Sequence, residues 1–148
     1  LNNLVIHKDP KKLEKINFMN VNNEIINLDT FKSSLIIINF WATWCAPCIE
    51  EMPSLSRLQA NTAFNNLQII PINVGRDNVE KSKNFKKKLK INNLEMYFDK
   101  NIELANKFLL RGLPTTVFIN KKGEEFARVI GFVNFDNKNI VEWLKKYD

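Results

Sequence analysis

The sequence has 148 residues, which suffice for one domain with a full hydrophobic core but not for two domains of ordinary size. Hydrophobic residues make up 45% and charged residues 26%, a composition typical of globular proteins rather than of disordered or membrane-spanning chains. Apolar runs such as residues 35–38 are strand-sized and far below the roughly 20 residues that cross a bilayer. We therefore expect a single domain over residues 1–148.

The formal net charge is +6, and lysines are concentrated between Lys81 and Lys90. Val79, Phe85 and Leu89 recur in this stretch at helical spacing, which predicts a helix with its apolar side inward and its lysines toward the solvent. The stretch contains no aromatic-rich strand or arginine pair of the kind that reads bases. We therefore expect no nucleic-acid partner.

Hydrophobic periodicity and turn residues predict the following elements in chain order. Residues 1–14 are expected to be extended or poorly ordered. Strands are predicted over residues 15–21, 24–28, 34–40, 67–74, 115–120 and 124–131. Helices are predicted over about residues 47–59, 78–88, 101–110 and 136–146, with a β-like stretch before the third helix. The first two strands form a hairpin, Pro53 should kink the first helix, and the whole pattern indicates an α/β fold with a mixed central sheet flanked by helices.

The two cysteines of the sequence, Cys45 and Cys48, lie where a predicted buried strand ends and a helix begins. Backbone N–H groups at a helix N-terminus lack partners within the helix, and the helix dipole is positive there. Both effects stabilise a thiolate, so the pKa of Cys45 should lie below the value of about 8.5 of a free thiol. Pro47 is tolerated in this first turn. The spacing therefore predicts Cys45 as a redox nucleophile and Cys48 as the thiol that resolves a mixed disulfide.

Other uses of a cysteine pair fit the sequence less well. A structural zinc site needs about four Cys or His ligands, but the only histidine is His7 near the N-terminus, which we expect at the surface. Covalent haem attachment needs His after the second Cys, and Ile49 stands there. A structural disulfide closing so short a loop gives little stabilisation. A pair of inert buried thiols stays an alternative, and no metal is expected.

Residues 39–48, which read NFWATWCAPC, resemble the active-site strand and helix start of the thioredoxin superfamily. The likeness continues through the EEMP of residues 50–53 to the GLPTT of residues 112–116, and it covers the chain from about residue 16 onward. It is closest to the TlpA/ResA-like bacterial proteins, which are exported, often membrane-anchored thiol–disulfide reductases. The resemblance implies a thioredoxin-like fold with an N-terminal hairpin and, at residues 75–99, the strand-and-helix insertion of the TlpA group.

The same resemblance implies a substrate-binding surface around the cysteines. Pro114 is expected to be a cis-proline that faces them, leaving the backbone of Leu113 free to pair with a substrate peptide. An ordinary trans proline before the strand is the alternative. Trp44, Ala46 and Pro47 are expected to complete this surface.

Cytosolic thioredoxins carry a buried Asp where this chain has Asn39, and a Lys on the neighbouring strand, where residues 67–74 contain none. A proton acceptor for Cys48 must therefore come from elsewhere. Glu51 lies one turn after Cys48 on the same helix face, whereas Glu50 is rotated away. The TlpA/ResA-like proteins, which the sequence resembles, have a functional Glu at the position that matches Glu51. We expect Glu51 to be catalytic; the alternative is that both glutamates are surface residues of a first turn.

Together these features predict a thiol–disulfide oxidoreductase that reduces protein disulfides. The resemblance implies a task in cytochrome c maturation or in periplasmic thiol maintenance. No dissociable cofactor is expected, and a membrane electron donor should recycle the pair. The protein is expected to be monomeric and periplasmic or exported, with or without a membrane anchor. The alternatives are an oxidase or isomerase of the same fold, a copper metallochaperone, a peroxiredoxin-type peroxidase and a non-catalytic binding module. The copper chaperone would need a Cys-x-x-x-Cys spacing and a downstream His ligand, which the sequence lacks.

Overall fold

A computed structural model describes residues 3–75 and 78–148. Arg76 and Asp77 of the expected insertion, and the first two residues of the expected N-terminal segment, lie outside this part of the chain. The strands it contains are β1 Leu4–Lys12, β2 Asn17–Met19, β3 Ile25–Asn27, β4 Leu35–Trp41, β5 Leu67–Val74, β6 Tyr97–Asp99, β7 Thr115–Ile119 and β8 Glu124–Ile130. The helices are α1 Ala46–Ala60, α2 Val79–Lys88, α3 Glu103–Lys107 and α4 Lys138–Lys145, with short 3-10 turns at Leu28–Thr30 and Lys100–Ile102.

The described strands form one mixed sheet in the order β1-β8-β7-β4-β5-β6-β2-β3. β4, β5 and β6 run parallel, whereas β7 pairs antiparallel with the other side of β4 and β8 pairs antiparallel with β7. All seven residues of β4 are buried, as its run of β-branched residues predicts for a strand covered on both faces. The α/β class, the mixed central sheet and the N-terminal hairpin β2–β3 are thus confirmed.

The two faces of the sheet carry separate apolar layers. Along β4, Ile37 packs with α1 and α4, whereas Ile36 and Ile38 pack with α3 and the N-terminal hairpin, because successive strand residues point to opposite faces. α1 contributes Met52, Leu55 and Leu58 to the first layer, and α4 contributes Ile140 and Leu144. This packing fixes the start of α1 against the end of β4.

The Lys-rich helix is present as α2, capped by the Asn78 side chain, which accepts from the Lys81 N–H at 2.8 Å. Phe85 and Leu89 pack against the core, and Phe85 lies 5.6 Å from the Trp41 ring, centroid to centroid. The lysines of α2 stay on its solvent side, as predicted. No helix in the described ranges is both long and apolar enough to cross a bilayer.

The third helix is shorter than expected. We predicted a helix over residues 101–110, but α3 covers only five residues. Asn101, Ile102 and Leu109 have φ values of 62°, 51° and 53°, which a right-handed helix cannot accommodate. Helical periodicity in the sequence gives no warning of such backbone angles.

Most of the N-terminal segment is a strand of the sheet, β1, rather than an unpaired tail. β1 pairs antiparallel with β8, with Ile6 opposite Ala127. This pairing brings His7, which we expected at the surface, against Glu125: its Nε2 lies 2.5 Å from Glu125 Oε2, and its side chain is only 11% exposed. Arg128 binds the same carboxylate through Nε and Nη2, each at 2.8 Å. The expectation for His7 is therefore corrected.

Candidate active site

Cys45 and Cys48 form a disulfide at the start of α1. Cys45 is the N-cap of the helix, and its Sγ accepts a hydrogen bond from the Cys48 N–H at 3.4 Å. Pro47 lies in the first turn, where the missing N–H needs no partner. Cys45 is 6% exposed, whereas Cys48 is completely buried. Cys45 is thus the less buried of the two cysteines, and their roles as nucleophile and resolving thiol stay predictions.

The Leu113–Pro114 peptide bond is cis, as the resemblance implied. Pro114 immediately precedes β7, and Thr115 pairs with Phe40 near the end of β4, so the proline lies at the sheet edge from which the cysteine segment leaves. The Pro114 carbonyl accepts a hydrogen bond from the Gly131 N–H at 2.8 Å. This contact fastens the proline segment to the loop that follows β8.

Among the residues expected to bind substrate, the side chains of the cysteine segment are open to solvent, whereas Pro114 is buried. Trp44 is 73% exposed, Ala46 and Pro47 are exposed, and Leu113 is half-buried. Phe132 adds a further exposed aromatic ring directly after Gly131, and the sequence did not single it out. These residues supply apolar area that an unfolded or extended segment of another protein can contact.

Glu51 is completely buried, whereas Glu50 is exposed, so the interpretation of both as surface residues does not hold. Glu51 follows Cys48 by one turn of α1, and both are buried on the same side of the helix. Its Oε1 accepts a hydrogen bond from Asn39 Nδ2 at 2.6 Å, and its Oε2 accepts one from the Val133 N–H at 2.8 Å. Burial raises the pKa of Glu51 from 4.5 to about 7, although the two hydrogen bonds oppose the rise.

Three residues around Glu51 have no role in the sequence-based prediction. Asn39 was noted only as a missing Asp, although its amide is a donor that a buried carboxylate needs. Thr116, whose Oγ1 lies 3.2 Å from Asn39 Nδ2, belongs to the GLPTT motif and could have been found there. Val133 acts through its backbone N–H, which leaves no signal in the side-chain pattern.

The site can exchange a dithiol for a disulfide while holding one proton on a neighbouring carboxyl group. Within residues 3–75 and 78–148, no group of three or more His, Cys, Asp or Glu side chains is arranged to hold a metal ion.

Comparison with known proteins agrees with this chemistry. Residues 10–124 match the AhpC/TSA family. The chain is 30% identical over 121 residues to the thiol-disulfide oxidoreductase ResA of Bacillus thuringiensis subsp. konkukian, a match that covers 82% of this chain and 68% of the relative. To ResA of Bacillus subtilis it is 29% identical over 110 residues, covering 74% of this chain and 60% of the relative.

A solved structure shows the same fold. The structure of a secreted thiol-disulfide isomerase from Corynebacterium glutamicum matches with a TM-score of 0.80 and 22% identity, covering 97% of this chain and 92% of that one. At that level of identity the likeness concerns the fold alone. Family match, curated relatives, fold and the cysteine pair lead to one conclusion. The chain belongs to the AhpC/TSA family of thioredoxin-like proteins and is a thiol–disulfide oxidoreductase of the ResA type.

Proposed function

We propose that the protein works as a reductase of disulfide bonds in other proteins. The observation that carries this proposal is the combination of an N-capping Cys45 with a buried Cys48 and a buried Glu51 on one helix. Cys45 gains the stabilisation that a helix N-terminus gives to a thiolate. Cys48, shielded from water, needs a proton acceptor inside the protein, and Glu51 is available for that task.

The reaction balances over two exchanges. The Cys45 thiolate attacks one sulfur of a substrate disulfide, whose S–S bond breaks; the departing substrate thiolate takes up a proton. Cys48 then transfers its proton to Glu51 and attacks Cys45 Sγ. The mixed disulfide breaks, the second substrate sulfur leaves as a thiolate that takes up a proton from water, and Cys45 and Cys48 are joined. The substrate gains two electrons and two protons, and the enzyme is oxidised to the state seen in this structure.

The pKa of Glu51 suits this role. A carboxyl group with a pKa of about 7 is partly ionised near neutral pH, so it can both accept a proton and release it afterwards. An ordinary surface glutamate would stay ionised and bind a proton too weakly to assist.

Protein substrates fit the surroundings of Cys45. The exposed Trp44 and Pro47 flank the sulfur, and the cis-proline segment that includes Leu113 lies at the same end of the sheet. An extended polypeptide can contact these side chains while pairing with the backbone before Pro114. This surface supports a polypeptide rather than a small-molecule disulfide as the substrate.

The cellular setting is proposed from the TlpA/ResA-like resemblance. It comprises a periplasmic or exported location, a task in cytochrome c maturation or thiol maintenance, and a membrane electron donor that reduces the pair again. Two electrons delivered by thiol exchange suffice for each cycle, so the proposed reaction uses no dissociable cofactor. We also propose that the monomer is the active form, since Cys45, Cys48 and Glu51 come from one chain.

Insulin reduction tests the proposed activity. With dithiothreitol as the terminal reductant, the protein should accelerate precipitation of the insulin B chain, and Cys45→Ser should return the rate to that of dithiothreitol alone. A wild-type protein no faster than Cys45→Ser would contradict the proposal. Rapid oxidation or reshuffling of a reduced protein substrate, without insulin reduction, would favour an oxidase or isomerase instead.

A further inference from the structure

Asn39 is a polar residue in the middle of β4, which is otherwise apolar. Its side chain is completely buried, and a buried amide is unfavourable unless its hydrogen bonds are made. Its Nδ2 donates to Glu51 Oε1 at 2.6 Å and lies 3.2 Å from Thr116 Oγ1, whereas its buried Oδ1 has no hydrogen-bond partner among the described residues. The amide is therefore oriented by its donor group, which is directed at the carboxyl group of Glu51.

Two donors from distant parts of the chain hold Glu51. Asn39 binds Oε1 from β4, and the Val133 N–H binds Oε2 from the loop after β8, at 2.8 Å. An amide N–H can donate to a carboxylate oxygen but cannot accept a proton from a carboxylic acid. The two contacts therefore fix the direction of the carboxyl group and favour its ionised form.

We propose that Asn39 is a positioning residue, which holds Glu51 in the orientation and the ionised form needed to accept the proton of Cys48. The inference rests on the proposed role of Glu51 in resolution. An Asp at position 39 could not replace the amide, because two carboxyl groups at hydrogen-bond distance share one proton and titrate as a pair. An Asn at position 39, where thioredoxins have a buried Asp, therefore lets the carboxyl group at position 51 titrate on its own.

Among the described residues that face Glu51, no other charged group shifts the pKa of its carboxyl group. β4 presents the Asn39 amide, β7 presents the Thr116 hydroxyl to that amide, and the loop after β8 presents the Val133 N–H. On α1 the titratable neighbour is Cys48, bonded to Cys45 in the oxidised protein. Burial raises the pKa of Glu51, and the bonds from Val133 and Asn39 lower it, so loss of the Asn39 donor should raise it further.

Carbon-13 NMR titration of the Glu51 carboxyl group in the oxidised protein tests the inference directly. In Asn39→Leu, which has a similar shape but no donor, the midpoint should move upward by about one pH unit. Asn73→Leu is the matched control: Asn73 is a buried amide on the neighbouring strand, with its side chain directed toward Ser82 rather than Glu51. Its midpoint should equal that of the wild type.

A second variant guards against loss of folding. Asn39→Asp keeps the shape and should give two coupled midpoints for the carboxyl pair, one of them above the wild-type value. An unchanged Glu51 midpoint in whichever of these two variants folds would overturn the proposal.

The pH profile of mixed-disulfide resolution supplies the functional readout. In Asn39→Leu or Asn39→Asp its midpoint should rise together with that of Glu51. A raised NMR midpoint with an unmoved profile would refute the positioning role. If Glu51→Gln itself leaves the pH profile unchanged, the proposed role of Glu51 in resolution is wrong. The NMR titration then still decides whether Asn39 lowers the pKa of Glu51.

Discussion

The backbone N–H of Val133 donates a hydrogen bond to Glu51 Oε2 across 82 positions of the sequence. The same loop contacts α1 again one turn later, where the Phe135 N–H donates to Ser54 Oγ at 3.0 Å. At its start, the Gly131 N–H is bonded to the Pro114 carbonyl. The loop between β8 and α4 therefore joins the cis-proline, on which a substrate should lie, to the carboxyl group that should take up the proton.

Glu51→Gln should lower the rate of mixed-disulfide resolution by about 10²-fold near neutral pH. This factor is at the low end of general acid–base effects. In the wild type the rate of resolution should rise with pH as Glu51 ionises, with a midpoint near its pKa of about 7. The variant should lose that rise. Stopped-flow measurement of product thiol release from a preformed mixed disulfide, between pH 5 and 9, gives both values.

Glu50→Gln is the matched control for this experiment. It removes the same charge from the same helical turn, but Glu50 is exposed and cannot share the buried site. Equal and small effects of the two substitutions would show that Glu51 acts only as a helix residue.

The buried carboxyl group should also make folding stability depend on pH. The pKa of Glu51 is about 7 in the folded protein against an ordinary 4.5, so between these values the native state binds more protons than the unfolded chain. Stability should therefore fall as pH rises from about 4.5 to 7, by about 3 kcal/mol. Urea unfolding of the oxidised protein should show this decline, and Glu51→Gln should remove it even if the variant is less stable throughout. A wild-type slope equal to that of the variant would contradict the raised pKa.

The strongest predictions from sequence concerned features with local signals. The cysteine pair, the start of α1 and the buried strand β4 each follow from residues close together in the chain, and the burial of Glu51 follows from helical spacing to Cys48. Contacts that need the folded sheet could not be foreseen. His7 and Glu125 are 118 positions apart and meet only because β1 pairs with β8.

Replacing either cysteine should separate the two roles. Cys48→Ser should accumulate a mixed disulfide through Cys45, since the resolving thiol is gone, whereas Cys45→Ser should form none and show no turnover. Non-reducing mass spectrometry after incubation with a disulfide-containing protein detects the adduct. Capture by Cys45→Ser and not by Cys48→Ser would mean that the assignment of nucleophile and resolving thiol is reversed.

The reduction potential decides the direction of exchange. For a reductase we expect a value nearer to that of thioredoxin, about −270 mV, than to that of DsbA, about −120 mV. The fraction of oxidised protein in glutathione redox buffers gives the potential. A value near −120 mV would exclude the proposed reductase and indicate an oxidase.

The last prediction concerns the buried carboxylate at the other end of the molecule. Burial alone would raise the pKa of Glu125, but hydrogen bonds and charge from Arg128 and His7 outweigh it, so the pKa lies below the ordinary 4.5. A lowered carboxyl pKa stabilises the fold above pH 4.5, and this contribution is lost as pH falls through the folded value. Glu125→Gln leaves Arg128 without its carboxylate partner and should lower the free energy of unfolding at pH 7 by roughly 3 kcal/mol, with a smaller loss at pH 3. Urea unfolding at both pH values measures the difference.

Glu14→Gln is the control, because Glu14 pairs with Lys12 at the solvent-exposed surface and should change stability by less than about 1 kcal/mol. A loss for Glu125→Gln that is equal at pH 7 and pH 3 would show that shape rather than charge holds β1 against β8.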